Sequence, residues 1–328
     1  MGRSETCAGR LSCRGSGIQF RGVNCRACDA TGEFPTFAAR EMLFGSRQVF
    51  EYAECPHCRS LQIRTIPENL GEHYPAGYYS LQPPPARART AGRARRAWAH
   101  WLLRSPWAVW AAWRLRGKYP FFHWCRAAGC GLESRVLDVG CGSGGLLRRM
   151  QRYGFGDLTG VDLYAARDVD EPGFRLRRAE LAAAGGGYDL IMLHHVLEHL
   201  PDPRQVLQDA RARLTPRGRL LVRLPLAASR SCRTYREHWF NLDPPRHLLV
   251  PSRRGMEALA QRAGLRVIRT EFDGVAQGFL MSEHYRRGTP YSARPRDGFW
   301  RRRQFRARAE QANRDGDGDQ GVFWLESA

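Results

Sequence analysis

The sequence predicts an α/β chain: an open, mainly parallel sheet preceded by a small cysteine-rich domain. Three observations carry this reading. Arg135–Leu147, RVLDVGCGSGGLL, is a short apolar run closed by glycines and continued by Leu146, Leu147 and Met150 at helical spacing, the pattern of strand, tight turn and helix. Leu158-Thr159-Gly160-Val161-Asp162 is a second short run that ends in an acid. Cys25-Arg26-Ala27-Cys28 and Cys55-Pro56-His57-Cys58 are two CxxC knuckles separated by residues 29–54.

Residues 1–20 are polar and rich in Gly, Ser and Arg, with Cys7 and Cys13 among them, and are expected to be disordered. Residues 21–82 read as a zinc-ribbon domain. Each knuckle offers two thiolates on one turn, and two turns close a tetrahedron, so Cys25, Cys28, Cys55 and Cys58 are the expected ligands of a structural zinc ion. Val49-Phe50-Glu51-Tyr52 alternates as a strand leading into the second knuckle. Residues 83–130 hold a Pro/Arg/Ala linker (83–95) and a Trp-rich helical stretch with Trp98, Trp101, Trp107, Trp110 and Trp113. The three-residue spacing within each Trp set puts it near one helical face, packed as a lid on the following domain or laid on a membrane surface as a peripheral contact.

Residues 131–328 form the main domain. No GxxxxGK[ST] follows its first strand, so the loop is not a Walker A phosphate cradle. Asp138, just ahead of the first glycine, would repel a pyrophosphate but suits an amino group. Asp162, at the end of the second strand, suits the two hydroxyls of a ribose. Acid, glycine loop and second acid together match a nucleoside with a cationic amino-acid tail, S-adenosylmethionine. DVGCGSG, GVD, YDLIMLHHVLEHLPDP and LTPRGRLLVRLP, in this order, resemble the class I S-adenosylmethionine-dependent methyltransferases, the small-molecule branch in particular, over about 131–268. That resemblance implies a seven-stranded Rossmann-like sheet. It also implies a cofactor held by Asp138, Gly140, Cys141, Gly142, Asp162, Leu163, Glu180, Leu181 and His194, with Glu180-Leu181 at the adenine.

Asp189–Leu193 is a buried strand, and His194, His195, Glu198 and His199 follow at its carboxyl end, where open α/β sheets bind ligands. A histidine is suited to take a proton from an acceptor hydroxyl. The stretch from Trp239 to Leu248 resembles the family's loop after the fifth strand, with Trp239, Asp243, Arg246 and His247 over the methyl donor. The candidate catalytic residues are therefore His247, His195 and His199. Some relatives hold a divalent ion with an acidic, histidine-containing motif here; H-x-x-E-H is one acid short, so no catalytic metal is expected. A helix over 296–314 and a last strand over 321–325 close the domain.

The CxxC, M-x-x-G, F-x-Y, CxxC, LQ and YP-x-x-YYS sequence of residues 24–80 resembles the N-terminal region of methyltransferases tied to bacterial polysaccharide synthesis. This implies a glycan or other small-molecule acceptor. Net charge is +20, but Lys118 is the sole lysine against fifty-one arginines, a skew that reflects genome composition rather than a nucleic-acid face. No nucleic-acid catalytic motif is present, which sets an RNA methyltransferase behind the small-molecule reading. A non-catalytic S-adenosylmethionine-binding scaffold is the third. No apolar run is long enough to span a bilayer and the first residues lack the apolar core of a signal peptide, so a cytoplasmic protein is expected.

Overall fold

A computed structural model describes residues 23–74, 92–108 and 119–328. The expected disordered segment 1–20, most of the 83–95 linker, Trp110 and Trp113 lie outside the described residues.

The knuckle region forms β1 (Val23–Asn24), β2 (Thr31–Gly32), β3 (Thr36–Arg40), β4 (Val49–Glu54) and β5 (Leu61–Ile63). The main domain contributes β6 (Arg135–Val139), β7 (Asp157–Val161), β8 (Val169–Glu171), β9 (Phe174–Arg177), β10 (Tyr188–His194), β11 (Leu214–Pro225), β12 (Leu249–Val250), β13 (Leu265–Phe272) and β14 (Gln320–Ser327). The large sheet has the order β13-β14-β11-β10-β6-β7-β9-β8. Strands β11, β10, β6, β7 and β9 run parallel, and β14 inserts antiparallel between β11 and β13. The sheet thus has eight strands among the described residues, one more than the seven expected. The extra one, β8, pairs antiparallel with β9 across Pro172-Gly173, a turn that Gly173 permits with φ +74°.

Apolar residues on both faces of β6 and β10 explain the central position of these strands: Val136, Leu137, Leu190, Ile191, Met192 and Leu193 are all fully buried. The chain winds outward from β6 through β7 to β9, then crosses to β10 and β11 on the other side. The order therefore reverses between β6 and β10, and the crevice at their carboxyl ends is the place for a ligand.

A helix spans Arg93–Arg104, entering what the sequence suggested was linker. Arginine and alanine are good helix formers, and its Ala99, Leu102 and Leu103 are buried. Trp98 packs against Tyr119, Phe122 and Tyr153 at ring separations of 5.4–6.2 Å, while Trp107 is 87% exposed. The tail helix runs Phe299–Arg314. Among the described residues no helix is long and apolar enough to cross a membrane.

The two regions share a sheet. β12, from the main domain, pairs antiparallel with β5, giving the order β12-β5-β4-β3. The loop before β12, which carries His247, is thereby built against the cysteine-rich region.

Candidate functional site

At the carboxyl end of β6, Gly140, Gly142 and Gly144 have φ of +67°, +54° and +76°, a left-handed conformation that favours glycine. A Cβ on Gly140 would lie 2.4 Å from Val196 Cγ2, so the glycine loop sits directly against the segment after β10. Asp138 is buried within β6, and among the described residues no hydrogen bond reaches its carboxylate. Burial, and then the charge of Asp162, push its pKa up to about 8. Asp162 follows β7; its Oδ2 accepts from Gly142 N–H and its Oδ1 from Tyr164 N–H, both at 2.8 Å. Each oxygen keeps a further lone pair. Leu163 is 48% exposed and Leu181 buried; Glu180 is exposed and Cys141 half-buried. The β6 and β7 ends thus bring together Asp138, Gly140, Cys141, Gly142 and Asp162. His194, closing β10, packs against Trp124 with centroids 4.3 Å apart and the rings tilted by 32°. Both of its ring nitrogens are buried and have no hydrogen-bond partner among the described residues. Burial, with Arg223 and His195 nearby, holds it well below the usual histidine range, so it is neutral.

The three candidate bases differ in what their nitrogens do. Arg223 Nη1 lies 2.7 Å from His195 Nε2. A guanidinium only donates, so Nε2 accepts and Nδ1–H points to Glu198 Oε1 at 3.2 Å. Both His195 nitrogens are therefore engaged. His199 Nδ1 lies 3.0 Å from the Arg246 carbonyl and 3.1 Å from Tyr74 Oη. His247 Nδ1 lies 2.8 Å from the Asn241 carbonyl. A carbonyl only accepts, so Nδ1 carries the proton in both rings and Nε2 keeps its lone pair. The two rings meet edge to face, 4.7 Å apart. Burial, then His199, lowers His247 to about 4. Glu198 is fully buried; burial works to raise its pKa, but His195 and the other histidines outweigh this and bring it to about 2.

Residues of the cysteine-rich region hold the His247 loop. Tyr52 Oη–H donates to the His247 carbonyl at 2.8 Å. Ile63 N–H and Arg26 Nη1 donate to the Leu248 carbonyl at 3.0 and 3.1 Å. Arg246, wholly buried, binds Asp243 with both Nε and Nη2, and Nη2 also binds Glu41 Oε1 at 2.9 Å. Glu41, Tyr52, Arg26, Arg223 and Trp124 escaped the sequence reading. Of these only Tyr52 is singled out in the sequence, as part of the strand leading into the second knuckle.

The four knuckle cysteines converge. Cys25 Sγ and Cys58 Sγ are 3.6 Å apart, and Cys28 and Cys55 3.7 Å. Thiolates at ~2.3 Å from a tetrahedral zinc stand about 3.8 Å from one another, so the spacing fits that ion. The knuckles match each other: Asp29 and Arg59 adopt φ of +62° and +65°, and their N–H groups return to the carbonyls of Cys25 and Cys55.

A family model described as a methyltransferase domain matches residues 93–270. The ubiquinone biosynthesis O-methyltransferase of Caulobacter sp. (strain K31) is 36% identical over 100 residues, 27% of this chain and 39% of that protein. The protein of the same name from Bordetella avium (strain 197N) is 39% identical over 97 residues, 26% of this chain and 39% of that one. The chain thus spans about two fifths of the length of the curated relatives it matches. Among solved structures, an S-adenosylmethionine dependent methyltransferase from Mesorhizobium loti shares 15% identity at a TM-score of 0.41, covering 64% of this chain and 98% of that one.

Proposed function

The chain belongs to the methyltransferase-domain family, and from that premise we propose that it transfers a methyl group from S-adenosylmethionine to a hydroxyl of a small molecule. One observation carries the reading: a buried carboxylate, Asp138, and a second, Asp162, flank a left-handed glycine loop at the sheet's switch point. When bound, S-adenosylmethionine supplies an activated methyl: the acceptor oxygen bonds to the methyl carbon as the carbon–sulfur bond breaks, S-adenosylhomocysteine leaves, and the hydroxyl proton is lost. Asp138 takes the ammonium of the amino-acid tail. Asp162 accepts from the ribose hydroxyls with the lone pairs that Gly142 and Tyr164 leave free. Gly140 and Gly142, with left-handed φ, let the loop curve around the tail, and Leu163, Leu181, Cys141 and Glu180 frame the base. The His194–Trp124 pair forms the wall behind the methyl. The acceptor hydroxyl sits at the His199–His247 pair, where an Nε2 lone pair accepts its proton as the oxygen bonds to the methyl. Much of the rate comes from holding donor and acceptor in line. The test is transfer of labelled methyl across phenols, nucleotide-sugars and lipid-linked glycans. Turnover with a hydroxyl acceptor supports the reading, and a bound donor with no turnover on any acceptor contradicts it. A glycan acceptor is the finer form of the proposal, supported by the resemblance of residues 24–80.

The pH dependence of donor binding follows from Asp138. The ammonium selects the ionised carboxylate, so binding releases a proton, and donor affinity is expected to fall up to about tenfold per pH unit below about 8. Calorimetric titration from pH 6 to 9 checks this, and Asp138→Asn is expected to bind weakly with a flat profile. The same shift opposes folding as pH rises. The unfolded carboxyl ionises near pH 4 and the folded one near 8, so the native state holds the extra proton in between. Stability of the donor-free protein therefore declines with rising pH across that window.

The Cys25, Cys28, Cys55 and Cys58 cluster is proposed to hold structural zinc. The cysteine-rich region has little core of its own, and its strand β5 carries β12. Cys58→Ser is therefore expected to lower the thermal midpoint by several degrees and to weaken acceptor binding. Equal midpoints for variant and wild type would contradict the role.

A further inference from the structure

Residues 315–320, DGDGDQ, bring three acids to the start of the last strand, and the three are used differently. Asp315 and Asp317 pair with Arg230 and Arg233, each at 2.7 Å. Asp319 is only 1% exposed, and no cation pairs with it among the described residues. Its Oδ2 instead accepts from Ser231 Oγ–H at 3.1 Å and from Asn241 Nδ2 at 3.0 Å. The fold makes room for this carboxylate: a Cβ on Gly278 would lie 1.9 Å from Oδ2, and one on Gly274 2.3 Å from Oδ1. Burial pushes its pKa up to about 6, so at neutral pH it is mainly ionised and its hydrogen bonds are of the stronger, charge-assisted kind.

The partner it holds is the one that faces His247. Asn241 donates to Asp319 through its side chain, while its backbone carbonyl accepts His247 Nδ1–H at 2.8 Å. One residue thus links the buried carboxylate to the imidazole. The local backbone is too short to set that carbonyl alone: Phe240–Leu242 is a single 3-10 turn, and Asp243 after it is left-handed, with φ +41°. Phe240 N–H on Ser282 Oγ, at 2.8 Å, fixes one side of the turn, and the Asp319–Asn241 bond fixes the other. The neighbouring Gln320 has a parallel role. Its Oε1 accepts from Arg223 Nη2 at 2.7 Å, and Arg223 Nη1 reaches His195 Nε2 at 2.7 Å.

We propose that Asp319 is a positioning residue: by holding Asn241 it keeps His247 in the Nδ1–H tautomer, with the Nε2 lone pair free for the acceptor's proton. A neutral imidazole has two tautomers, and in the other one Nε2 carries the proton and cannot accept. The hold on the tautomer stands on the hydrogen bonds alone; its use in proton removal rests on the methyl-transfer reading.

The test reads the tautomer by nitrogen NMR on the full-length protein, isotopically labelled at the histidine rings. Protonated and lone-pair ring nitrogens resonate far apart, and the signals lost in His247→Gln identify His247. The wild type is expected to show Nδ1 protonated and Nε2 bare at neutral pH. In Asp319→Ala the two signals are expected to draw together as the tautomers interchange, and Asp319→Asn, whose amide oxygen still accepts from Asn241, is expected to restore the wild-type pattern. Asn241→Ala removes the bridging side chain and keeps the backbone carbonyl; it is expected to match Asp319→Ala, and the double variant to go no further. S-adenosylmethionine affinity, measured by calorimetry, is expected to stay unchanged in Asp319→Ala. A wild-type His247 pattern in both alanine variants overturns the proposal. So does a loss of donor affinity that accompanies the tautomer change, since that marks a general structural role. Should Asp319→Ala fail to fold, Asn241→Ala decides alone. The spectra need neither donor nor acceptor, so failure to methylate any acceptor sinks methyl transfer and leaves the brace standing, whereas turnover with the His247 pattern untouched in the variants sinks the brace and leaves methyl transfer standing.

Discussion

Replacing Asp162 by alanine is expected to weaken S-adenosylmethionine binding by about 3 kcal/mol, on the order of a hundredfold. Two hydrogen bonds to a charged acceptor vanish together. The carboxylate also anchors Gly142 N–H and Tyr164 N–H, so the glycine loop loses its brace and must be ordered at the expense of binding. Asp162→Asn separates the two contributions. Its amide oxygen retains one acceptor for the loop but has no charge and a single oxygen for the ribose, so an intermediate loss is expected. Calorimetry reads the affinities, and an unchanged circular dichroism spectrum shows that the variants fold. Wild-type affinity in Asp162→Ala contradicts the cofactor assignment.

The second large effect is on the loop that carries His247. Glu41→Ala is expected to destabilise the protein by about 3 kcal/mol and to raise the acceptor KM while donor affinity stays unchanged. Glu41 and Arg246 are 1% and 0% exposed and join the cysteine-rich region to the loop before β12. Glu41 also accepts from the N–H groups of Phe44, Gly45 and Ser46, so its removal leaves three donors and part of a buried guanidinium unsatisfied. Burial alone would raise the Glu41 pKa, but Phe44 N–H, Arg246 and Ser46 N–H hold it below the usual glutamate value. Its stabilisation is therefore present above the ordinary carboxylate pKa and is lost as pH falls through the lower folded value. Chemical denaturation of the variant at neutral pH checks the magnitude. A KM for donor and acceptor raised in equal measure would show that the loop serves both sites.

The features legible in the sequence were those whose partners are near in the chain. Gly140, Gly142 and Asp138 sit in one strand-turn unit, and each cysteine knuckle is complete within four residues, so composition and spacing suffice. The short hairpin of β8 was legible in principle: Pro172-Gly173 between Val169–Glu171 and Phe174–Arg177 is a turn flanked by alternating residues. What lay out of reach depends on long-range contact. Glu41 and Arg246 are 205 positions apart, and Tyr52 reaches the His247 carbonyl across 195; no periodicity links such pairs. The distinction among the three histidines depends on which acceptor each Nδ1–H finds. His195 meets Glu198 and Arg223, whereas His199 and His247 meet carbonyls, and only the folded loop decides that.

The central claim is that the crevice at the β6 and β7 ends grips a sulfonium nucleoside between two carboxylates. A crystal structure with S-adenosylhomocysteine tests it most directly. The amino group is expected within hydrogen-bond distance of Asp138 and the ribose hydroxyls on Asp162. A nucleoside seated elsewhere, or a crevice closed by side chains with the ligand excluded, would contradict it.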